Sequence, residues 1–192
     1  MEDLQFYFEM GWQHIMAIDA LDHLLFILVL TAIYRLKNWK QVLVLVTAFT
    51  IGHSLTLALS VYELIRVSSR LVEFLIPCTI IATALFNAFQ RLDTGRKLRL
   101  NYFLALFFGL IHGLGFANAI RFMLASDQHI GWALFGFNLG LEAGQIVVVT
   151  GILMFCYIVV DKAAIAQKWW VRILSSVSAM MAIWMAIQRW PW

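Results

Sequence analysis

The residues best suited to chemistry are histidines and carboxylates that stand inside strongly apolar sequence. His23, His53 and His112 occur in such stretches, and Asp22 directly precedes the first of them. Burying an ionisable side chain in a membrane is costly unless the group is paired, ligated or hydrated. Imidazole nitrogens with a carboxylate oxygen suit a divalent transition metal, with nickel or zinc as the leading choices, better than calcium or magnesium. We therefore predict a metal site made of Asp22, His23, His53 and His112.

Three further polar residues extend this set. His14 and Asp19 precede the Asp22–His23 pair at helical spacing and are predicted to line the outer mouth of the site. Glu142 stands in the segment FNLGLEAGQ and is predicted to be a relay or an additional ligand. No CxxC, HExxH, Walker or dinucleotide-binding motif is present, which argues against soluble metalloproteases, nucleotidases and dehydrogenases.

The elements that must position these residues are membrane helices. The chain has 192 residues, 62% apolar and only 13% charged, whereas soluble domains are typically about 25% charged. Apolar windows of about 20 residues, long enough to cross the hydrocarbon core, occur at about 14 to 34, 39 to 62, 68 to 89, 100 to 124, 130 to 160 and 170 to 187. Connections are short and no internal repeat is visible. We predict one all-α membrane domain over residues 1–192, with about six transmembrane helices.

Lysine and arginine predict the orientation of this bundle, because cytoplasmic loops carry an excess of both. With the N-terminus outside, the outward loops contain Arg66, Arg70, Arg121 and Arg189, and the remaining ten of the 14 basic residues face inward. Both termini are therefore predicted to lie outside. The acidic N-terminus lacks the basic region of a removable signal peptide. We expect a multi-pass protein of the bacterial inner (cytoplasmic) membrane.

The predicted ligands stand near the middle of their helices. At a rise of about 1.5 Å per residue, His23, His53, His112 and Glu142 fall at a similar depth, at or slightly outside the bilayer midplane. Glycines next to the last three residues allow close approach of the helices. The metal-site prediction depends on this convergence of side chains from four helices.

Four segments carry a family resemblance: GWQHIMAIDALDHLLFILVL, TAFTIGHSLTLALS, GLIHGLGFA and FNLGLEAGQ. Together, and in this order, they resemble the HupE/UreJ family of hydrogenase and urease accessory membrane proteins from His14 to Gln145. Members of that family are described as nickel permeases or metal-uptake proteins that supply nickel enzymes. The resemblance therefore implies metal handling.

Three functions remain open. In the first, which we favour, a divalent-metal permease of the nickel type binds its cation transiently at the predicted site. In the second, an intramembrane zinc-dependent hydrolase acts on a lipid or lipid-linked substrate, with Asp22, Ser54 and Glu142 as catalytic groups. This set of residue types resembles that of the transmembrane hydrolases that include alkaline ceramidases. In the third, the polar core braces a module that binds a partner protein. The net charge of only +3 argues against nucleic-acid binding, so the expected partners are the lipid bilayer and a metal ion.

Overall fold

The computed structural model describes residues 2–17, 20–89, 97–124 and 130–192, with the side chains of 2, 97–99, 117–119 and 121–124 excepted. The helices are α1 (Glu2–Met16), α2 (Leu21–Thr31), α3 (Trp39–Val61), α4 (Ser69–Phe89), α5 (Lys97–Leu124), α6 (Ile130–Cys156) and α7 (Gln167–Gln188). A 3-10 turn, Leu36–Asn38, leads into α3, and a π-helical stretch, Tyr157–Lys162, continues α6. The described residues contain no strand, which confirms the predicted all-α class.

Several of these helices are suited to crossing a membrane. Four are long and apolar enough by themselves: Leu36–Val61, Ser69–Phe89, Ile130–Lys162 and Gln167–Gln188. A fifth candidate span consists of α1 and α2 together, which meet at 68°. The described part of α5 contributes a shorter apolar stretch, Leu100–Phe116. The protein is therefore a multi-pass membrane protein with four or five candidate spans, while the count of about six and the outside position of both termini stay predictions.

The first predicted span, at about 14 to 34, is divided between two helices. α1 ends at Met16 and α2 begins at Leu21, after Ala20 with φ −83° and ψ 31°. The division lets α1 pack along α6 while α2 packs against α4 and α7. Tertiary packing here overrides a local sequence that favours a continuous helix, because propensity is only a weak preference.

Two helix pairs, α3 with α5 and α1 with α6, approach one another very closely. A Cβ atom added to Gly52 or Gly109 would collide with a backbone oxygen of the opposite helix in the first pair. The same holds for Gly11 and Gly140 in the second pair. Small residues of this kind let membrane helices pack backbone to backbone. These contacts bring together the helices that carry the polar residues of the interior.

The interior of the bundle is apolar and aromatic, and so is much of its outside. Phe26, Phe49 and Phe137 are fully enclosed and connect α2, α3 and α6. Large apolar side chains at Ile51 and Trp184 are more than half exposed. A surface of this kind is suited to contact with lipid, because lipid tails are as apolar as the side chains.

Candidate metal centre

Four histidines lie side by side in the interior of the bundle. They are His14 on α1, His23 on α2, His53 on α3 and His112 on α5. The ring centroids of His14 and His23 are 4.6 Å apart, and those of His23 and His112 are 5.1 Å apart. His53 lies 6.0 Å from His14 and 6.1 Å from His23. Four imidazoles from four separate helices therefore form one group, which we call the histidine cluster.

Three of these rings are arranged as metal ligands are. His14, His23 and His53 each offer a ring nitrogen, and the three atoms lie within 4.8 Å of one another. Nitrogens bound tetrahedrally to one zinc ion at about 2.0–2.1 Å would lie about 3.3 Å apart. To bind one ion in this way, the three nitrogens, which lie within 4.8 Å of one another, would have to approach to about 3.3 Å.

The cluster contains several buried ring nitrogens without a hydrogen-bond partner among the described residues. They are Nε2 of His14 and of His23, both ring nitrogens of His53, and Nδ1 of His112. A buried polar atom left in this state costs about 1–3 kcal/mol, and native proteins seldom leave several together. A cation bound by one nitrogen lone pair each of His14, His23 and His53 would satisfy one nitrogen of each ring. The donor set therefore fits a divalent transition metal.

His112 has a different environment from the other three. Its Nε2 lies 3.2 Å from the hydroxyl of Thr79 on α4. Its ring packs against Phe26, at a centroid distance of 4.9 Å, and against Phe49, at 5.2 Å. His112 therefore adjoins the three-ligand group through His23 without contributing an atom to it.

His14 lies inside the cluster, and not only at its mouth as predicted. In a continuous helix, nine residues would separate it from His23 by about 13.5 Å along the axis. The bend of 68° between α1 and α2 accompanies a much shorter separation, with the two ring centroids 4.6 Å apart. The ring of His14 also packs on Phe116 of α5 at 4.1 Å. Asp19, predicted beside His14 at the mouth, lies outside the described residues.

Asp22 supports the cluster from the start of α2. Its Oδ1 lies 3.0 Å from Nδ1 of His23 and accepts the backbone N–H of the same residue at 2.9 Å. A carboxylate that accepts a hydrogen bond from the non-ligating nitrogen fixes the tautomer and orientation of a metal-binding imidazole. In this arrangement Nε2 of His23 is the nitrogen left free for a cation. Asp22 is placed to orient His23 through Oδ1, and its role as a ligand stays a prediction.

A cavity of about 480 Å³ opens onto the cluster. Its walls include His14, His23, His112 and Asp22, together with Glu73 on α4 and Arg189 after α7. Arg189 Nη1 lies 3.3 Å from Asp22 Oδ2. Neither Glu73 nor Arg189 could be linked with the site from the sequence, because their positions depend on how α4 and α7 pack against α2.

A family model described as HupE / UreJ protein matches residues 1–189. The chain belongs to the HupE/UreJ family. No curated protein and no solved structure matches it. The predicted family is confirmed. The helices described above show a multi-pass membrane protein. Its histidine cluster contains a group that could hold a metal ion.

Two predicted residues of this HupE/UreJ protein lie apart from the cluster. Glu142 on α6 accepts a hydrogen bond from Thr47 at 2.8 Å, in parallel with a 2.7 Å bond from Thr50 to Gln145. Ser54 donates to the carbonyl of Thr50 within its own helix at 2.7 Å. Neither Glu142 nor Ser54 belongs to the three-ligand group or to the cavity wall. The bond between Thr47 and Glu142 joins α3 to α6, whereas that of Ser54 stays within α3.

Proposed function

We propose that this HupE/UreJ protein is a permease of the bacterial inner membrane that carries a divalent transition metal, nickel or a similar cation, as its substrate. The observation that supports this most directly is the convergence of unpartnered nitrogens of His14, His23 and His53, of which the first two residues also line the cavity. Family membership adds support, because the resemblance implies metal handling. The chain acts as a single membrane domain in this proposal.

On the open side of the site, carboxylates favour the approach of a cation. Asp22 and Glu73 both line the cavity that leads to the histidines. Negative charge on low-dielectric walls raises the local concentration of cations. A metal that reaches the cluster exchanges its water for imidazole nitrogens, and His23 is already oriented for this by Asp22.

On the other side, aromatic rings close the cluster. Phe26, Phe49 and Phe108 each lie about one helical turn from a cluster histidine, in the direction away from the cavity. The ring of Phe26 lies 5.0 Å from that of Phe49 and 5.8 Å from that of Phe108. A site open on one side and closed on the other corresponds to one state of an alternating-access transporter.

Beyond the phenylalanines, buried polar groups offer a route for release. Asn87 on α4 donates to the carbonyl of Val29 at 2.7 Å, and Asn101 on α5 donates to the hydroxyl of Tyr34 at 3.0 Å. Thr83 lies one turn before Asn87, on the same buried face of α4. In the proposed cycle, rearrangement of the phenylalanines connects the cluster with these groups.

Metal uptake into proteoliposomes tests the proposal. The purified chain is reconstituted around a metal-sensitive fluorescent chelator, and Ni²⁺, Co²⁺ or Zn²⁺ is added outside. We expect uptake by the native protein, none by His53→Ala, and native uptake by the matched variant Glu142→Gln, which changes a membrane carboxylate outside the cluster. Folded protein that binds metal and moves none of the three ions would refute the permease.

A zinc-dependent hydrolase is the second candidate, and one observation favours it. Two members of the three-histidine group, His14 and His23, line a cavity of about 480 Å³, and zinc held by three protein ligands keeps a coordination position for an activated water. Of the catalytic groups predicted for this function, Asp22 adjoins the cluster, whereas Ser54 and Glu142 are bonded elsewhere. Stoichiometric zinc that resists chelation would favour the hydrolase, and readily exchanged nickel or cobalt the permease.

A further inference from the structure

The segment that follows α7 lies against two walls of the cavity. The backbone N–H of Arg189 bonds the carbonyl of Met185 at 2.9 Å, which caps the helix. Its guanidinium reaches Asp22 on α2, and the next residue, Trp190, packs edge-on against Phe74 of α4 with ring centroids 5.1 Å apart. The position of Arg189 at the cavity is therefore held by contacts on both sides.

The two carboxylate oxygens of Asp22 contact two different side chains. Oδ1 receives the ring N–H of His23, and Oδ2 receives Arg189 at 3.3 Å. The side chain of Asp22 is 15% exposed and that of Arg189 is 31% exposed, so the pair stands at the boundary between the cavity and the interior. A cation that moves from the cavity to the cluster therefore passes a carboxylate that already holds a positive charge.

The guanidinium group stays protonated under all ordinary conditions, so this positive charge is permanent. Among the described side chains that line the cavity, Arg189 carries a positive charge, whereas Asp22 and Glu73 are carboxylates. A monovalent cation gains little by displacing a guanidinium of equal charge. A divalent cation gains more from the same carboxylate, since the Coulomb attraction scales with charge.

We propose that Arg189 is a tethered competitor for Asp22 that sets the specificity of the site for divalent over monovalent cations. This inference rests on the proposed function, because it assumes that a metal ion is the substrate of the cluster. Arg189 lowers the resting affinity for every cation and excludes those that cannot displace it. When the metal leaves, Arg189 returns to Asp22, which favours release.

Equilibrium binding of Ni²⁺ to the purified full chain tests the inference, with and without added NaCl. Arg189→Gln removes the charge, Arg189→Lys keeps it, and Arg66→Gln is the control, since Arg66 pairs with exposed Glu63. We expect Arg189→Gln to bind Ni²⁺ about 5- to 10-fold more tightly than the native chain. We also expect Na⁺ to compete with Ni²⁺ more strongly in that variant. Arg189→Lys and Arg66→Gln should bind as the native chain does.

Each result supports or overturns a definite claim. Arg189→Gln that binds Ni²⁺ equally or more weakly would refute the competition and would make Arg189 a residue that positions Asp22. Arg189→Met provides a second uncharged variant if the first does not fold, as judged by its melting temperature in detergent. A native chain that binds none of Ni²⁺, Co²⁺ and Zn²⁺ would refute the proposed function together with this inference. Binding by the native chain without tightening in the uncharged variants would refute this inference alone.

Discussion

Two groups of buried polar side chains meet along α3, and they differ in how their hydrogen bonds are satisfied. Thr50 donates to Gln145 on α6 at 2.7 Å, and Gln145 is only 1% exposed. One turn further along the helix, His53 is completely buried, and neither of its ring nitrogens has a partner among the described residues. Both groups are polar and enclosed, yet only one of them is left with free lone pairs.

This difference separates packing from a binding site. Hydrogen bonds between membrane helices contribute modestly to stability, on average about 0.6 kcal/mol each. A hydrogen-bonded pair such as Thr47 and Glu142 is explained by that contribution. Unpartnered imidazole nitrogens destabilise the fold by themselves, so their presence on four neighbouring helices is better explained by a ligand.

Removal of a predicted metal ligand from the histidine cluster should have the largest effect on metal affinity. Loss of a hydrogen-bond partner of a metal ligand already costs about 10- to 100-fold in affinity, so His53→Ala should weaken Ni²⁺ or Zn²⁺ binding by at least about 100-fold. Equilibrium titration of the detergent-purified protein measures this. Gln145→Ala, which truncates the hydrogen-bonded group of the comparison, serves as the control and should keep native affinity. Equal losses in both variants would remove the distinction between the two groups.

Asp22→Asn should have the next largest effect, because it weakens the acceptor that orients His23. We expect metal binding to fall by about 10- to 100-fold. The same change releases Arg189, so the double variant with Arg189→Gln separates the two contributions, and non-additive effects are expected for residues in contact. Native affinity in Asp22→Asn would show that His23 does not need this carboxylate.

The sequence was sufficient to predict the helical class and three of the four clustered histidines as neighbours. Apolar runs define the helices, and a constant rise per residue places polar positions at comparable depth. His23, His53 and His112 could be brought together in this way because each stands near the middle of its own apolar run.

The remaining features depend on packing that no local pattern encodes. The place of His14 follows from the division of the first span, where α1 turns to pack along α6. Arg189 and Asp22 are 167 positions apart and meet only because α7 packs against α2. Glu142 has the depth expected of a ligand, but its helix face contacts Thr47. Depth can be inferred along a single helix, whereas facing direction requires the neighbours.

In the metal-free protein, substitutions in the histidine cluster and in the hydrogen-bonded group should change the free energy of unfolding in opposite directions. His53→Leu removes two buried unpartnered nitrogens at similar volume, so it should raise the free energy of unfolding by about 1 kcal/mol or more. Gln145→Leu leaves the Thr50 hydroxyl without its partner and should lower the same free energy by about 0.6–1 kcal/mol. Thermal unfolding in detergent after chelation measures both. Saturating metal should reverse the first sign, because a ligand stabilises only the form that binds it. Destabilisation by His53→Leu in the absence of metal would indicate that the imidazole has a structural role.

The smallest effect is expected at Glu142, the predicted residue that the structure places outside the cluster. In Glu142→Gln, an amide oxygen replaces the carboxylate oxygen and can accept the same hydrogen bond from Thr47. Both the fold and the metal affinity should therefore stay at native values. Glu142→Leu removes that acceptor and should lower the free energy of unfolding by about 0.6 kcal/mol while leaving metal affinity unchanged. Titration and thermal unfolding of the two variants together test this. A loss of metal affinity in Glu142→Gln would mean that the carboxylate charge itself acts on the cation, and that the hydrogen-bonded group belongs to the site after all.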